Sequence, residues 1–261
     1  MTLQLLRVFH EESSAVHYLS LSRNFGKEAA IFAGLQAATG DFISLMDADL
    51  QDPPELLLEM FEKIQEDEVD CVAARRLNRK GEPFIVSALS HLFYKMMNKI
   101  SKTPVIDGVR DFRLMTRQVA DAILELSEYN RFSKGLFTWV GFNTQYVTYT
   151  NQLRIAGKTK WNFWARVRYA FDGFVNFSEM PLEIATYTGL TTVFLTVIAI
   201  IALIIRQLFF HHSVSGWTSL VVIFLFCFGF TLLILGIIGK YISNIFLESK
   251  KRPIYIVKEK K

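Results

Sequence analysis

Cysteine is scarce in this sequence, and the histidines do not cluster with it. The 261 residues include two cysteines and five histidines. Cys71 lies in a predicted strand and Cys227 in a predicted membrane helix, so we interpret both as buried small hydrophobic residues without a disulfide. The sequence shows no zinc-binding spacing, no glycine-rich phosphate loop and no pattern typical of a Ser-His-Asp triad. These absences exclude disulfide-stapled domains, zinc sites and P-loop hydrolases.

Charged residues are missing from two long stretches near the carboxyl terminus. Residues 184–205 and 207–239 contain no Asp, Glu, Lys or Arg. As a helix, the first stretch would extend over roughly 33 Å, enough to cross a bilayer core of about 30 Å. The apolar body of the second, Leu220–Ile238, predicts another span. A buried hairpin is the alternative, but the rest of the chain is too short to cover two such helices.

Before these stretches, short apolar runs alternate with helical patterns. This alternation predicts an α/β fold, in which crossover helices connect the strands of a parallel sheet. The predicted helices are Thr2–Glu12, Glu28–Thr39, Glu55–Gln65 and Arg117–Leu126, and the predicted strands are Val16–Leu21, Phe42–Met46, Val69–Ala74, Asp111–Met115 and Thr144–Tyr149.

An acidic sequence follows the apolar run Phe42–Met46, which we interpret as a buried strand. Asp47 and Asp49 come directly after this strand, and Pro53 and Pro54 open the next helix. Ligands collect at strand ends in open α/β sheets. Paired carboxylates there suit Mg²⁺ or Mn²⁺ bound to the phosphates of a substrate. A solvated acidic turn at the start of a helix is the alternative.

Basic residues accompany three further segments. Pro83–Ile100 and Trp161–Phe177 have helical apolar spacing, and each either lies on a membrane surface or packs against the sheet. The tail Arg252–Val257 forms a strand or lies on the membrane. The formal net charge of +4 suggests cytoplasmic loops, anionic lipid or phosphorylated substrates as partners, and we expect no nucleic acid.

The distribution of basic residues predicts the membrane orientation. Lys and Arg flank the outer ends of the predicted hairpin, whereas its connecting loop, Gln207–Trp217, has neither. We therefore expect a multi-pass protein of the cell membrane whose catalytic domain and both termini are cytoplasmic. The predicted parts are a cytosolic domain (1–160), an interfacial helix and linker (161–181), two membrane helices (182–242) and a basic cytosolic tail (243–261).

Several motifs occur in one order before the two predicted spans. They are Ser22–Glu28, Asp47–Glu55, Asp111–Met115, Arg131–Gly135, Trp139–Phe142 and Gly157–Trp161. With this set the chain resembles, over nearly its whole length, the bactoprenol-phosphate glycosyltransferases of glycosyltransferase family 2, relatives of dolichol-phosphate mannose synthase. The resemblance implies a Rossmann-like (GT-A) fold with a parallel-rich sheet, and a homo-oligomer. It also implies inverting transfer of glucose or N-acetylglucosamine from a UDP-sugar to undecaprenyl (polyprenyl) phosphate for cell-envelope glycosylation.

The resemblance also implies roles for the acidic residues. Asp49 is the first choice as ligand of Mg²⁺ or Mn²⁺, and Asp47 binds the metal or the donor ribose. Gln51 is similar to a further metal-site residue, with a plain polar residue at the helix start as the alternative. Asp111 is implied as the catalytic base; alternatively it orients the acceptor or pairs with Arg113.

Cationic and loop residues complete the implied site. Arg23, Asn24, Gly26 and Lys27 resemble the loop that holds the nucleotide-sugar. The candidates for binding the acceptor phosphate are Arg76, Arg79, Arg131, Lys134, Lys158 and Lys160. For each single cation, a solvated or lipid-facing charge is the alternative.

One part of the family pattern is missing at the start of this sequence. Family members open with a strand carrying a Pro-x-Tyr-Asn-Glu-like turn, followed by a strand that ends in Asp-Asp-Gly-Ser; this chain opens on what resembles the next helix. We therefore expect an exposed strand edge and weak or absent donor binding. The alternative function is a truncated, inactive membrane fragment that acts only by association. A processive polysaccharide synthase is a third reading, but its Gln-x-x-Arg-Trp motif is absent.

Overall fold

The computed structural model describes residues 2–66, 68–77, 106–150, 180–210 and 216–261, with the single residues 98, 175 and 178. The chain forms two compact units, Met1–Phe177 with Lys251–Lys261, and Ser178–Lys250. The amphipathic segments predicted over 83–100 and 161–177 and the basic loop 154–160 lie outside the described residues, apart from the single residues 98 and 175.

Helices and strands alternate in the first unit, as the sequence pattern predicts. Its helices are α1 (Thr2–Glu12), α2 (Lys27–Ala37), α3 (Leu56–Glu66), α4 (Arg117–Glu125) and α5 (Ser133–Trp139), and its strands are β1 (Leu19–Leu21), β2 (Phe42–Leu45), β3 (Cys71–Arg76), β4 (Val109–Thr116), β5 (Thr144–Tyr149) and β6 (Val257–Lys260). The predicted and observed boundaries differ mostly by one to three residues at the ends.

The main sheet is mixed, which corrects the expectation of a parallel sheet. Its strand order is β2-β4-β3-β5. Strands β3 and β5 are parallel, whereas β4 is antiparallel to both β2 and β3. The physical reason is the position at which β4 begins: it starts beside the end of β3, where the Arg76 N–H donates to the Gly108 carbonyl at 3.0 Å. A strand that starts at that edge must run back across the sheet in the opposite direction.

Apolar side chains cover both faces of this sheet because strand residues alternate between faces. On one face, Cys71 and Met115 pack with α2, α4 and α5 through Ile31, Val119 and Leu136. On the other face, the strands pack with α3. That second cluster is Met60, Ile64, Val72, Ala74, Phe112, Leu114, Val147 and Tyr149. The described helices thus lie on both faces, and the ends of the strands are left to form the site.

Strand β2 is less buried than predicted. Ile43 is buried, but the side chains of Phe42 and Met46 are 39% and 38% exposed. The reason is position: β2 comes first in the strand order, so among the described strands it pairs only with β4. Phe42 partly offsets this exposure by an edge-to-face contact with Phe61 of α3, with 5.2 Å between ring centroids.

The carboxyl-terminal tail returns to the first unit as a strand. β6 pairs antiparallel with β1, and the Glu259 carboxylate accepts hydrogen bonds from Arg7 and Tyr18. This strand covers Val257–Lys260 and shares only Val257 with the segment Arg252–Val257, for which a strand was one of two alternatives; residues 252–256 are irregular.

The second unit contains the two long helices α6 (Met180–Phe210) and α7 (Trp217–Ser249). Both are long and apolar enough to cross a membrane, with candidate spans at Met180–Ala199 and Ile223–Ser249. Thr188 and Thr192 donate their hydroxyls to carbonyls four residues earlier, which satisfies these groups within the helix. Cys71 is buried as predicted, but Cys227 is exposed on α7, because the most apolar stretch of its candidate span is not buried within the protein.

Candidate active site

The carboxyl-terminal end of β2 and the amino-terminal end of β4 lie at the same edge of the sheet. In the register of this pair, Leu45 lies opposite Arg113. Asp47 is two residues beyond the end of β2, and Asp111 is two residues back along β4, so an antiparallel pairing brings them together. These carboxylates lie 64 positions apart in sequence and belong to different motifs. Their proximity depends on the reversed direction of β4.

The ammonium group of Lys27 bridges these two carboxylates. Its Nζ lies 2.8 Å from Asp47 Oδ2 and 2.5 Å from Asp111 Oδ2. Burial lowers the pKa of Lys27, but the two carboxylates outweigh this effect and raise the pKa above its ordinary value. Lys27 is the first residue of α2, so the bridge also connects the start of this helix to the sheet.

Asp111 is the most enclosed carboxylate of this bridge, with its side chain 17% exposed. Burial on its own would raise the pKa of Asp111, but Lys134 and Lys27 together lower the pKa below its ordinary value. The guanidinium of Arg113 donates to the backbone oxygens of Asp111 and Arg110, at 3.2 and 3.1 Å. Thus the described ion-pair partner of the Asp111 carboxylate is Lys27, and Arg113 binds the backbone beside it.

The guanidinium of Arg113 stacks on an aromatic ring. It is buried, and its Cζ lies 3.7 Å from the ring centroid of Phe137 on α5. Burial lowers the pKa of Arg113 from its ordinary value. This cation therefore positions the start of β4, and with it Asp111.

The acidic loop between β2 and α3 folds back on itself. The side chain of Asp49 accepts a hydrogen bond from the Gln51 N–H at 3.2 Å, and Leu50 between them has φ of 54°. A positive φ is unfavourable for a leucine. The side-chain oxygen of Gln51 accepts a hydrogen bond from Arg110 Nη2 at 3.4 Å. Asp49 and Gln51, two of the three predicted metal-site residues, thus have defined positions on a strained turn.

Asp52, at the end of this loop, has a structural role that the sequence reasoning missed. Its carboxylate is buried, accepts a hydrogen bond from the Tyr149 hydroxyl and pairs with Arg110 Nε at 3.3 Å. Burial and Asp52 raise the pKa of Tyr149. Burial lowers the pKa of Arg110, but Asp52, together with Tyr149, Asp111 and Asp47, raises it above its ordinary value. The available signal was the run of carboxylates before Pro53, but local spacing does not show which of them turns inward.

A cleft of about 700 Å³ lies beside the bridge. The described residues that line it include the five predicted to hold the nucleotide-sugar, which are Arg23, Asn24, Gly26, Lys27 and Asp47. The cleft is also lined by Asp111, Arg110, Arg131 and Lys134. Asp49 and Gln51 are not among the lining residues. The structure therefore brings all five residues predicted to hold the nucleotide-sugar to one cleft.

The loop before α2 has a geometry that requires glycine. Gly26 has φ of +95°, a conformation that side-chain-bearing residues rarely adopt, and its N–H donates to the Asn24 side chain at 2.9 Å. Arg23 stacks on the ring of Phe25, with 4.6 Å from Cζ to the ring centroid. This turn directs the amino-terminal end of α2 toward the cleft, where helix N–H groups favour anions.

The predicted phosphate-binding cations are distributed more widely. Lys134 lines the cleft and faces Asp111. Arg131 also lines it, but its guanidinium donates to the carbonyls of Leu126 and Ile123 beside α4 and stacks on Phe32. Arg76 ends β3 and is not among the described lining residues of the cleft. The remaining three lie outside the described residues: Arg79, Lys158 and Lys160.

The predicted metal site was tested by its donor chemistry. Among the described residues, no three His, Cys, Asp or Glu side chains gather at a position for a metal ion. However, Asp47 and Asp111 converge on one cation, the Lys27 ammonium, and Asp49 and Gln51 add oxygen donors on the same loop. The carboxylates of Asp47 and Asp111 are the hard oxygen donors that Mg²⁺ and Mn²⁺ prefer, so this pair fits such an ion, whereas Asp49 and Gln51 are not among the described residues that line the cleft.

Comparison with known proteins identifies the family. Residues 1–124 match the model of "Glycosyl transferase family 2". The chain is 47% identical to CsbB of Bacillus subtilis (strain 168), provisionally named a glycosyltransferase, over 258 residues that cover 99% of this chain and 78% of CsbB. It is 42% identical over 243 residues to the prophage bactoprenol glucosyl transferase homolog of Escherichia coli (strain K12) and to the bactoprenol glucosyl transferase of Shigella phage SfV. Both alignments cover 93% of this chain and 79% of the relative.

These matches agree with the observed architecture. The mixed sheet with helices on both faces is the α/β arrangement implied by the Rossmann-like GT-A fold of this family. Since identities above 40% extend over nearly the whole chain and nearly four-fifths of each of these relatives, the protein belongs to glycosyl transferase family 2 and is a glycosyltransferase.

Proposed function

We propose that this protein transfers a sugar, with inversion, from a UDP-sugar to a polyprenyl phosphate such as undecaprenyl phosphate. The observation that carries the proposal is the cleft in which Asp47, Lys27 and Asp111 meet, in a chain with two helices long and apolar enough to cross a membrane. Relatives named bactoprenol glucosyl transferase favour glucose as the sugar, with N-acetylglucosamine as the second candidate.

The donor would bind along the start of α2. Arg23 and the helix N-terminus offer positive charge to the diphosphate. Asp47, Asp49 and Gln51 would hold Mg²⁺ or Mn²⁺. When bound, a divalent cation stabilises the negative charge on a leaving diphosphate. Asn24 and Gly26 shape the loop against which the nucleotide would rest.

The acceptor would bind on the Lys134 side of Asp111. A phosphate monoester has its second pKa near about 6, so at neutral pH it is already largely a dianionic nucleophile. Lys134 would orient this dianion. The Asp111 carboxylate, whose pKa is lowered by Lys134 and Lys27, is well suited to position these cations and poorly suited to hold a proton. Of the two roles open for Asp111, this favours the orienting role over that of a catalytic base.

A membrane location follows from the chemistry of the acceptor. Withdrawing an isoprenoid chain from a bilayer costs about 0.8 kcal/mol per exposed CH₂ group, so the enzyme must come to the lipid. We propose that α6 and α7 anchor a multi-pass protein in the cell membrane, with the catalytic domain and both termini in the cytoplasm. We also propose that it works as a homo-oligomer in cell-envelope glycosylation.

The test is transfer of labelled sugar in membranes that contain the full chain. UDP-glucose and UDP-N-acetylglucosamine, each radiolabelled, are incubated with undecaprenyl phosphate and Mg²⁺, and the lipid phase is extracted. We expect labelled lipid with one donor, little with the other, and none from an Asp47→Asn variant that is equally abundant and equally folded. Equal labelling by wild type and this variant, or no labelling with either donor, would overturn the proposal.

A further inference from the structure

The Lys27 ammonium lies where a divalent cation would need to approach Asp47. It forms ion pairs with Asp47 and Asp111 at 2.8 and 2.5 Å. Arg110 also faces Asp47 and Asp111, and Lys134 and Arg113 face Asp111. The negative charge of these two carboxylates is therefore already compensated by cations of the chain itself.

This compensation weakens the attraction of the site for a free metal ion. A free divalent cation would have to give up hydration water, which Mg²⁺ does reluctantly, and would have to displace an ammonium from two charge-assisted contacts. A divalent cation that arrives bound to a diphosphate is accompanied by the negative charge of that diphosphate. The diphosphate then offers the displaced ammonium a new partner.

We infer that Lys27 makes divalent-cation binding depend on the donor: it bridges Asp47 and Asp111 in the donor-free chain and transfers its contact to the diphosphate when the donor enters. The inference rests on the proposed function, because it takes the donor to be a nucleoside diphosphate sugar. Lys27 is thus an internal counter-cation that sets the order in which the ligands bind.

The position of Lys27 permits this exchange. Its side chain is 40% exposed and lines the cleft, so the ammonium can leave the bridge without crossing packed protein. A lysine ammonium is a compact charge on a flexible four-carbon stem. Arg113, by contrast, is buried over Phe137 and bound to backbone oxygens, so it cannot exchange partners in this way.

The alternative is that Lys27 only ties α2 to the sheet. Removal of a structural tie would lower stability and leave metal affinity unchanged or weaker. Removal of a competing cation would raise metal affinity in the absence of donor. Metal affinity therefore separates the two roles, independently of any sugar transfer.

The experiment measures Mn²⁺ binding to the full chain in detergent, by equilibrium dialysis without nucleotide and then with UDP, correcting for Mn²⁺ bound to UDP alone. The variants are Lys27→Met, and Lys27→Gln as a second neutral replacement should the first not fold. Lys258→Gln is the matched control, because it removes an exposed cation of β6 that is not among the described residues lining the cleft. Lys27→Met combined with Asp47→Asn removes a carboxylate of the bridge as well. Thermal melts establish that each variant is folded.

Without nucleotide, we expect the neutral Lys27 variants to bind Mn²⁺ at least tenfold more tightly than wild type and Lys258→Gln, and the double variant to lose this gain. With UDP, we expect the Mn²⁺ affinity of wild type to rise at least tenfold, and that of Lys27→Met to rise much less. Equal Mn²⁺ affinity of wild type and Lys27→Met without nucleotide would overturn the inference, as would a wild type that does not respond to UDP. Failed sugar transfer with this Mn²⁺ pattern intact would overturn the proposed function alone.

Discussion

The acidic loop between β2 and α3 has a carboxylate at each end, and both meet cations in different surroundings. Asp47 is 37% exposed and pairs with Lys27 at the edge of the cleft. Asp52 is 2% exposed and pairs with Arg110 and Tyr149 inside the unit. The same chemistry therefore serves two purposes along one loop.

The two ends of the loop differ in how easily the carboxylate can change its partner. An exposed ion pair contributes little to stability, because water replaces it at small cost. A buried carboxylate that loses its partners costs several kcal/mol, because nothing replaces them. We therefore expect Asp52 to hold the loop in place and Asp47 to change partners during binding.

The largest expected effect is on sugar transfer, at the bridge that connects Asp47 of the loop with Lys27 and Asp111. Asp111→Asn removes the negative charge that holds both Lys27 and Lys134. Transfer rates should fall by about 10²- to 10⁴-fold, the range for a positioned acid-base group. A pH profile separates the two roles of Asp111. Activity that recovers as the pH rises indicates positioning, whereas a flat and complete loss indicates an obligatory base.

The next effect is on stability, at the buried end. Asp52→Ala leaves Arg110 and the Tyr149 hydroxyl without their carboxylate, which should lower the free energy of unfolding by about 3 kcal/mol. Asp47→Ala is the matched control at the exposed end and should cost less than about 1 kcal/mol. Urea unfolding in detergent, followed by near-ultraviolet circular dichroism, measures both. Equal losses would contradict the division of roles along the loop.

A smaller stability effect is expected from the hydroxyl that binds Asp52. Tyr149→Phe keeps the ring in its apolar cluster and removes a single hydrogen bond to a buried carboxylate. The expected loss is about 1 to 2 kcal/mol. Tyr255→Phe, which removes an exposed hydrogen bond to the neutral side chain of Gln36, is the control for removing a hydroxyl. An unchanged urea midpoint for Tyr149→Phe would mean that Asp52 finds another donor.

The lowered pKa of Asp111 predicts a pH dependence of stability. Because its pKa in the folded chain lies below the ordinary value of 3.8, the stabilising contribution is fully present above about pH 4 to 5 and is lost as the pH falls through the lower folded value. Unfolding midpoints should decrease on acidification from pH 5 to pH 3, and Asp111→Asn should reduce this decrease. Glu62→Gln, on an exposed face of α3, should leave it unchanged.

The smallest expected effect concerns the strained residue in the middle of the loop. Leu50 is exposed and has φ of 54°, so Leu50→Gly loses little packing and relieves a conformation that costs about 1 to 2 kcal/mol for a side-chain-bearing residue. The greater freedom of glycine in the unfolded chain offsets part of this gain. We expect a net stabilisation of about 0.5 kcal/mol, measured as a small rise in the urea midpoint. A clear decrease would mean that the Leu50 side chain supports the loop.

The candidate site was only partly predictable. Asp47, Asp111, Lys27 and Lys134 were each identified from motifs, and the structure brings all four to one cleft. Asp52, Arg110 and Tyr149 were not assigned roles, because a side chain that serves as a buried support has no distinctive local spacing. Arg131 was assigned to the acceptor phosphate, whereas two of its donors bind carbonyl oxygens beside α4.

The sequence alone determined the order of helices and strands, the two apolar segments that can span a membrane, and the motif set of the family. These features are local, since they depend on hydrophobic period, on stretches without charge and on short runs of residue types. Only the tertiary structure decided that β4 runs antiparallel and that its register brings Asp111 to Asp47 and Lys27. Strand pairing joins residues far apart in the chain, so its direction and register follow from packing of the whole sheet and not from any local pattern.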